Sequence, residues 1–465
     1  MRSWMTRAAL ATCLGLAAPA AAQPARPPAT PGRPAARPAA PSFKLPPIEQ
    51  FALENGMKVV LLRDPSTPVV AVQVWYHAGS KDEPRDRRGS AHMFEHMMFR
   101  GTAHVRPEGH ARFVASLGGE YNAQTTEDAT FFKNVVPSAY LDFVVGLEAE
   151  RMRNLLFRDD MIATEREVVK EEIRRQEGDP VVRGLLRFLA IAYQKHPYAW
   201  TAGGTIGDLD QTTRADLESF YQRYYQPSNA LLVVVGDATA ADVRAAAEKH
   251  FGNLAGAGKP PRPAQTSPEP TQTAQRREIL DASQIGLVFA GFKLPPGGHA
   301  DVAALQVASV ILGAGESARL RQRIRAIDPA TKHPLGLDAA VPFLVREDPG
   351  LFLTIGVFRD PAAAAGVEAA LFDELARLAR KAPGADEVSR AKQQILAGFV
   401  FGMDSPAGLA EQLGQAWVLT GDPATLAGEL DAIDKVTPAD VARVASTYLV
   451  PAKATVVVVP PVSAP

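Results

Sequence analysis

Cysteine is nearly absent from this chain. Among 465 residues Cys13 stands alone, and it lies in an apolar stretch close to the N-terminus. A mature chain cut after that stretch has no thiol, which excludes disulfides and cysteine-ligated metal. Stability then rests on core burial, which a chain of this length can supply. Net charge is also missing: 50 Lys and Arg balance 51 Asp and Glu. No overall field favours nucleic acid or an anionic membrane. Nor does any segment approach the roughly 20 consecutive apolar residues of a membrane-spanning helix, so no stable membrane span is expected. What remains is ordinary globular composition, 46% apolar and 22% charged, at a length that favours two or more domains.

The first residues look like an address rather than a fold. Arg2 and Arg7 lead into an apolar run, Ala8 to Ala18, followed by Ala20-Ala21-Ala22-Gln23. A charged start, a short apolar core and small residues before a cut describe a secretory signal. Residues 1–22 are therefore expected to be removed after Ala22, delivering the chain to a periplasm or outside the cell. The alternative is lipidation at Cys13. Leu10-Ala11-Thr12-Cys13 is a poor lipobox, because Thr12 is bulky at the cut site.

Two Pro-rich stretches, 23–47 and 256–277, read as extended linkers. They bracket two segments, 48–255 and 278–460, whose ends are alike. Ile206-Gly-Asp-Leu-Asp, Thr213-Arg-Ala-Asp-Leu, Tyr224, Pro227 and Ala230 to Val235 recur 224 residues later as Leu430-Asp-Ala-Ile-Asp, Thr437-Pro-Ala-Asp-Val, Tyr448, Pro451 and Ala454 to Val459. Each copy reads as a Thr-capped helix, a turn at proline and a buried strand. A gapless offset over some 30 residues marks an internal duplication. Further strands are expected at Met57–Leu62, Val69–His77, Thr130–Val136, Ile285–Phe292 and Leu351–Phe358. The fold class predicted is α+β: two homologous domains, each an antiparallel-rich sheet covered by helices, joined by a linker.

Chemistry concentrates at His92-Met93-Phe94-Glu95-His96. At roughly 3.6 residues per turn, histidines four apart lie about 40° apart on one helix face. Two imidazoles there can hold Zn2+ while the Glu95 carboxylate reaches a water, the minimum for metal-assisted hydrolysis. Ser90 is expected to cap this helix and Gly101 to follow its last turn. A third ligand is needed, and an acidic helix follows, Thr164-Glu-Arg-Glu-Val-Val-Lys-Glu-Glu-Ile-Arg-Arg. On charge alone Glu165, Glu167, Glu171 or Glu172 qualifies. The other histidines, His77, His104, His110, His196, His250, His299 and His333, have no ligand spacing and read as structural or exposed.

H-x-x-E-H with a Glu-x6-Glu pair downstream resembles the pitrilysin/insulinase family of inverzincin peptidases, and the length resembles its mitochondrial processing peptidase-like branch. Asn55-Gly56-Met57-Lys58-Val59, Phe99-Arg-Gly-Thr102 and Gly118-Gly-Glu-Tyr-Asn-Ala-Gln-Thr125 extend the likeness. The resemblance implies zinc held by His92, His96 and Glu172, Glu95 as general base, and Glu165 as an orienting carboxylate beside the ligands. It also implies that Gly119, Asn122, Ala123 and Thr125 belong to a sheet edge that takes in an extended peptide substrate. Short unfolded peptides would be the substrates.

One departure matters. The family completes its site with an Arg and a Tyr from a second-half domain. Arg325, in Arg319-Leu-Arg-Gln-Arg-Ile-Arg325, matches the Arg, but Leu337 stands where Tyr is expected. Losing one oxyanion donor costs about 10²–10³ in rate. The expectation is a zinc-bearing subunit of a heterodimer whose homologous partner supplies the Arg/Tyr pair. The alternatives are a chain acting alone or as a homodimer, and a non-catalytic zinc-binding scaffold.

Overall fold

A computed structural model describes residues 45–256, 258, 260, 269–327 and 332–462. The segment expected to be a signal, 1–22, most of 23–47 and the middle of 256–277 lie outside the described residues.

Two six-stranded sheets form the frame. The first holds β1 (Ile48–Ala52), β2 (Lys58–Arg63), β3 (Val69–Tyr76), β4 (Glu120–Thr125), β5 (Thr130–Pro137) and β6 (Ala230–Gly236), in the order β1-β2-β6-β3-β5-β4. The second holds β7 (Arg276–Ile279), β8 (Gly286–Lys293), β9 (Asp338–Ala340), β10 (Phe343–Leu344), β11 (Leu351–Phe358) and β12 (Thr455–Val459). Its order is β10-β11-β8-β12-β7, with β9 also on β11. All pairings are antiparallel except β2 with β6 and β12 with β7.

The duplication is visible in these sheets. β2-β6-β3-β5-β4 repeats as β7-β12-β8-β11-β9, with the same parallel pair and the same free end. Leu231 pairs with Trp75, and Thr455, 224 residues on, pairs with Gly291. The preceding helices, Arg214–Tyr224 and Pro438–Tyr448, carry the same capping box, Thr213 with Asp216 and Thr437 with Asp440. β6 and β12 are central strands buried along their whole length, which explains their unbroken apolar sequences. The short strands β1, β7, β9 and β10 were not expected from the sequence. β7 begins at Arg276, inside the stretch read as linker.

The halves are cross-packed. One face of each sheet carries its own helices. The opposite face of the first sheet is covered by helix Pro406–Thr420 from the second half, through Leu409, Leu413 and Trp417 against Val60, Trp75 and Val233. The second sheet is covered in return by helix Pro180–Ala192 from the first half, through Phe188 and Leu189 against Phe289, Leu353 and Val457. In each contact an aromatic ring sits against glycine, at Gly414 in the first and at both Gly184 and Gly291 in the second. A Cβ on Gly414 would overlap Trp75, and one on Gly291 would come within 2.6 Å of Phe188. Trp75 and Gly291 occupy equivalent strand positions, so the strand bears a knob at that position in the first copy and a hole in the second.

Candidate metal centre

The motif lies on helix Ser90–Met97. Ala91, Met93, Phe94 and Met97 enter the core of the first half, which turns His92, Glu95 and His96 away from it. Ser90 is the first helical residue rather than the cap. The cap position is Gly89 at φ 94, a conformation glycine adopts without penalty. The buried Glu83 carboxylate, from the turn Ser80–Asp82 and its flank, accepts Gly89 N–H at 2.9 Å and Ala91 N–H at 2.7 Å. It therefore does the capping that was assigned to Ser90. The Ser90 hydroxyl instead donates to Arg87 O.

The acidic helix spans Asp159–Glu177, with Ile162, Val169 and Ile173 buried. Glu165 and Glu172, two turns apart, face the motif. Glu167 and Glu171 are exposed and pair with Lys170 and Arg174, as solvated helix residues do. His92 Nε2 lies 3.6 Å and His96 Nε2 3.8 Å from Glu172 Oε2, and the rings stand at 88° with centroids 5.0 Å apart. The three donor atoms lie within 4.8 Å of one another.

This set fits a zinc ion. The separations exceed hydrogen-bond length, so the groups converge without bonding each other. Ligands about 2.1 Å from a tetrahedral ion lie roughly 3.4 Å apart, close to what is seen. Two imidazole nitrogens and one carboxylate leave a fourth position open.

Around the triad the groups are arranged by role. His96 Nδ1 approaches Glu165 Oε2 at 3.3 Å, and Arg100 Nε holds the other Glu165 oxygen at 2.6 Å. Burial alone would raise the Glu165 carboxyl, but His96 and Arg100 hold it below its usual range. Burial would lower His96, yet Glu165 and Glu172 reverse this and raise it. His92, buried and without a carboxylate on its Nδ1, is pushed down to about 3 by desolvation and by His96. Glu95 Oε2 lies 4.0 Å from His92 Nε2. Burial lifts the Glu95 carboxyl to about 7, against the pull of His96 and of the Thr125 hydroxyl and amide.

Thr125 ends β4, the outermost strand of the first sheet, which among the described residues pairs only with β5. Asn122 is exposed on it and Ala123 buried. Ala123 N–H donates to Asn122 Oδ1 at 2.9 Å. Gly119 precedes the strand, and packing explains it, since a Cβ there would press on Val135 O and Val136 Cγ1. Arg325 is placed elsewhere. It donates to Leu337 O at 3.1 Å and pairs with Glu316 and Asp338, with no contact to the metal triad among the described residues. Leu337 beside it is 41% exposed. Sequence reasoning missed Glu83 and Arg100, which lie one turn or more outside the motif and carry no spacing of their own.

Residues 58–205 match the family described as insulinase (peptidase family M16), and residues 211–395 match its companion, the peptidase M16 inactive domain. The zinc protease PqqE of Helicobacter pylori is 34% identical over 308 residues, covering 64% of this chain and 69% of that protein. The chain belongs to peptidase family M16. An uncharacterised zinc protease of Mycobacterium leprae is 29% identical over 402 residues, 85% of this chain and 88% of that protein. The mitochondrial-processing peptidase subunit beta of Lentinula edodes is 27% identical over 414 residues, 85% and 86% of the two chains. Among solved structures, a protease from Helicobacter pylori superposes with TM-score 0.82 at 30% identity, covering 90% of this chain and all of that one. The periplasmic protease PqqL from Escherichia coli shares the fold at TM-score 0.71 and 20% identity, over 90% of this chain and 48% of that one. The M16 likeness thus spans both sheets. Among the described residues no helix is long and apolar enough to cross a membrane.

Proposed function

We propose that this M16 protein is a secreted or periplasmic zinc metallopeptidase that hydrolyses short unfolded peptides. The observation that carries the reading is the convergence of His92, His96 and Glu172, with the unpartnered Glu95 oxygen beside them. His92, His96 and Glu172 would hold the ion. When bound, zinc supplies Lewis acidity, which lowers the pKa of water and polarises a carbonyl. Glu95 takes a proton from the attacking water and returns it to the leaving amine. Glu165 fixes the His96 ring from behind, with Arg100 fixing Glu165. The unpaired edge of β4 takes an extended peptide as an added strand, ending at Thr125 beside Glu95. Secretion rests on the N-terminal sequence and accords with the periplasmic relative.

Leu337, not a tyrosine, stands beside Arg325, which donates to its carbonyl. This supports a heterodimer in which a homologous subunit brings the Arg/Tyr pair. Leu337 and the inactive-domain match of the second half also favour a second reading, a non-catalytic zinc-binding scaffold. Glu95 opposes it, because burying a carboxylate oxygen without a partner is costly unless that oxygen is used.

The test is cleavage of a quenched-fluorescent peptide library by the zinc-loaded mature chain, with Glu95→Gln as blank. Cleavage lost in the variant establishes a self-sufficient peptidase. If both are silent, adding a co-expressed homologue with the Arg/Tyr pair decides between divided site and scaffold.

A further inference from the structure

The β4–β5 turn is gripped from two sides. From its own half, Ser80 N–H donates to Thr126 O at 3.2 Å and Lys81 N–H to Glu127 O at 3.1 Å. Gly79 allows this approach, since a Cβ there would overlap the Glu127 carbonyl. From the other half comes the β10–β11 turn, its counterpart in the duplication. Arg346 reaches Glu127 at 2.7 Å, and Glu347 N–H donates to Asp128 Oδ2 at 3.1 Å. Lys81 Nζ lies between the two turns, 2.7 Å from Asp128 and in contact with Glu347 and Asp348. Lys81 is fully buried and Arg346 is 6% exposed.

Such a junction is a poor source of stability. Taking these charges out of water costs several kcal/mol per ion, and matched apolar residues do as well or better. The halves are in any case held by two apolar helix-on-sheet contacts. What a buried charge cluster whose ion pairs bridge two turns provides is one permitted geometry. Its geometric output is the position of β4. The turn it grips is continuous with Thr125, the last residue of β4, and the segment that grips it runs on through Glu83 to the cap of the metal helix.

We propose that the junction of the two homologous turns is a positioning device: Lys81 and Arg346 tie the placement of the second half to the substrate edge β4. Neither residue touches the substrate. They act through Glu127 and Asp128 on the strand that receives it. The kinetic consequence rests on the peptidase reading given above, whereas the structural one does not.

The experiment compares wild type, Arg346→Met and the conservative Arg346→Lys, each as the full mature chain. Amide exchange is followed by mass spectrometry at residues 120–130, and peptide cleavage and bound zinc are measured alongside. The expected result is about tenfold or faster exchange confined to 120–130 in Arg346→Met, with zinc retained. KM should rise more than kcat falls, and Arg346→Lys should recover part of both. Unchanged exchange at 120–130, or equal acceleration across both sheets, overturns the proposal. If wild type cleaves nothing even beside a co-expressed homologue carrying the Arg/Tyr pair, the peptidase reading fails while the exchange result still decides the junction.

Discussion

Glu165 holds His96 by the nitrogen that faces away from Glu172. The contact is 3.3 Å to Nδ1, and the other Glu165 oxygen is fixed by Arg100 at 2.6 Å. This pins the ring with Nε2 toward the open centre and favours the imidazole tautomer that can ligate. Partners of this kind are worth about 10–100-fold in metal affinity. Glu165→Gln is therefore expected to bind zinc about 10–100-fold more weakly, measured by chelator competition, with the fold kept. Unaltered affinity would mean that Glu165 serves packing alone.

Glu95 separates ligation from proton transfer. It shares the helix face with the histidines but is not one of the three converging donors. Glu95→Gln should bind zinc like wild type and lose about 10²–10⁴ of any peptidase rate. Loss of zinc along with activity would make Glu95 a ligand and redraw the centre.

The readable parts of this molecule were the local ones. Five consecutive residues carry the motif, and Thr213 with Asp216 and Thr437 with Asp440 announce two helices through a contact only three residues long. β11 matches its expected bounds because an eight-residue stretch, apolar except for Thr354 and Gly356, lies between turn signals. Choosing Glu172 among four glutamates needed the family likeness, since only the packing of two helices decides it. The capping role of Glu83 was hidden for the same reason, as it comes from seven residues before the helix it caps. The edge strands β1, β7, β9 and β10 are only two to five residues long, so pairing rather than periodicity creates them. Lys81-Asp82-Glu83 looks like a solvated charged run, yet all three are buried, because a turn 266 residues away from Lys81 supplies Glu347.

Glu269 offers a pH test. Its side chain is 1% exposed and accepts the N–H groups of Gln194, Lys195 and His196 at 2.8 to 3.0 Å, together with Lys293. Burial alone would raise this carboxyl, but Lys293 and the three amides pull it down to about 2. A depressed carboxyl stabilises the fold above its unfolded pKa and loses that contribution as pH falls through the folded value. The window is thus from about 4.5 down to 2, and the size is on the order of 3 kcal/mol. Glu269→Gln should be less stable than wild type at pH 7 in urea unfolding, and the gap should close as pH falls through that window. A gap independent of pH would assign the loss to packing.

The cross-packed helices make the two halves one cooperative unit. Helix Pro406–Thr420 covers the first sheet and helix Pro180–Ala192 the second, so neither core is complete within its own half. Gly414 and Gly184 are the tightest points, where a Cβ would overlap Trp75 and Phe289 respectively. Overpacking of this kind costs about 1–3 kcal/mol. Gly414→Ala disturbs only the contact on the first sheet and Gly184→Ala only that on the second. If the halves unfold together, each variant lowers the midpoint of one shared transition, reported equally by amide exchange in β6 and in β12. Should Gly414→Ala loosen β6 while β12 keeps wild-type protection, the halves are independent, and the exchange of helices is a docking contact rather than a shared core.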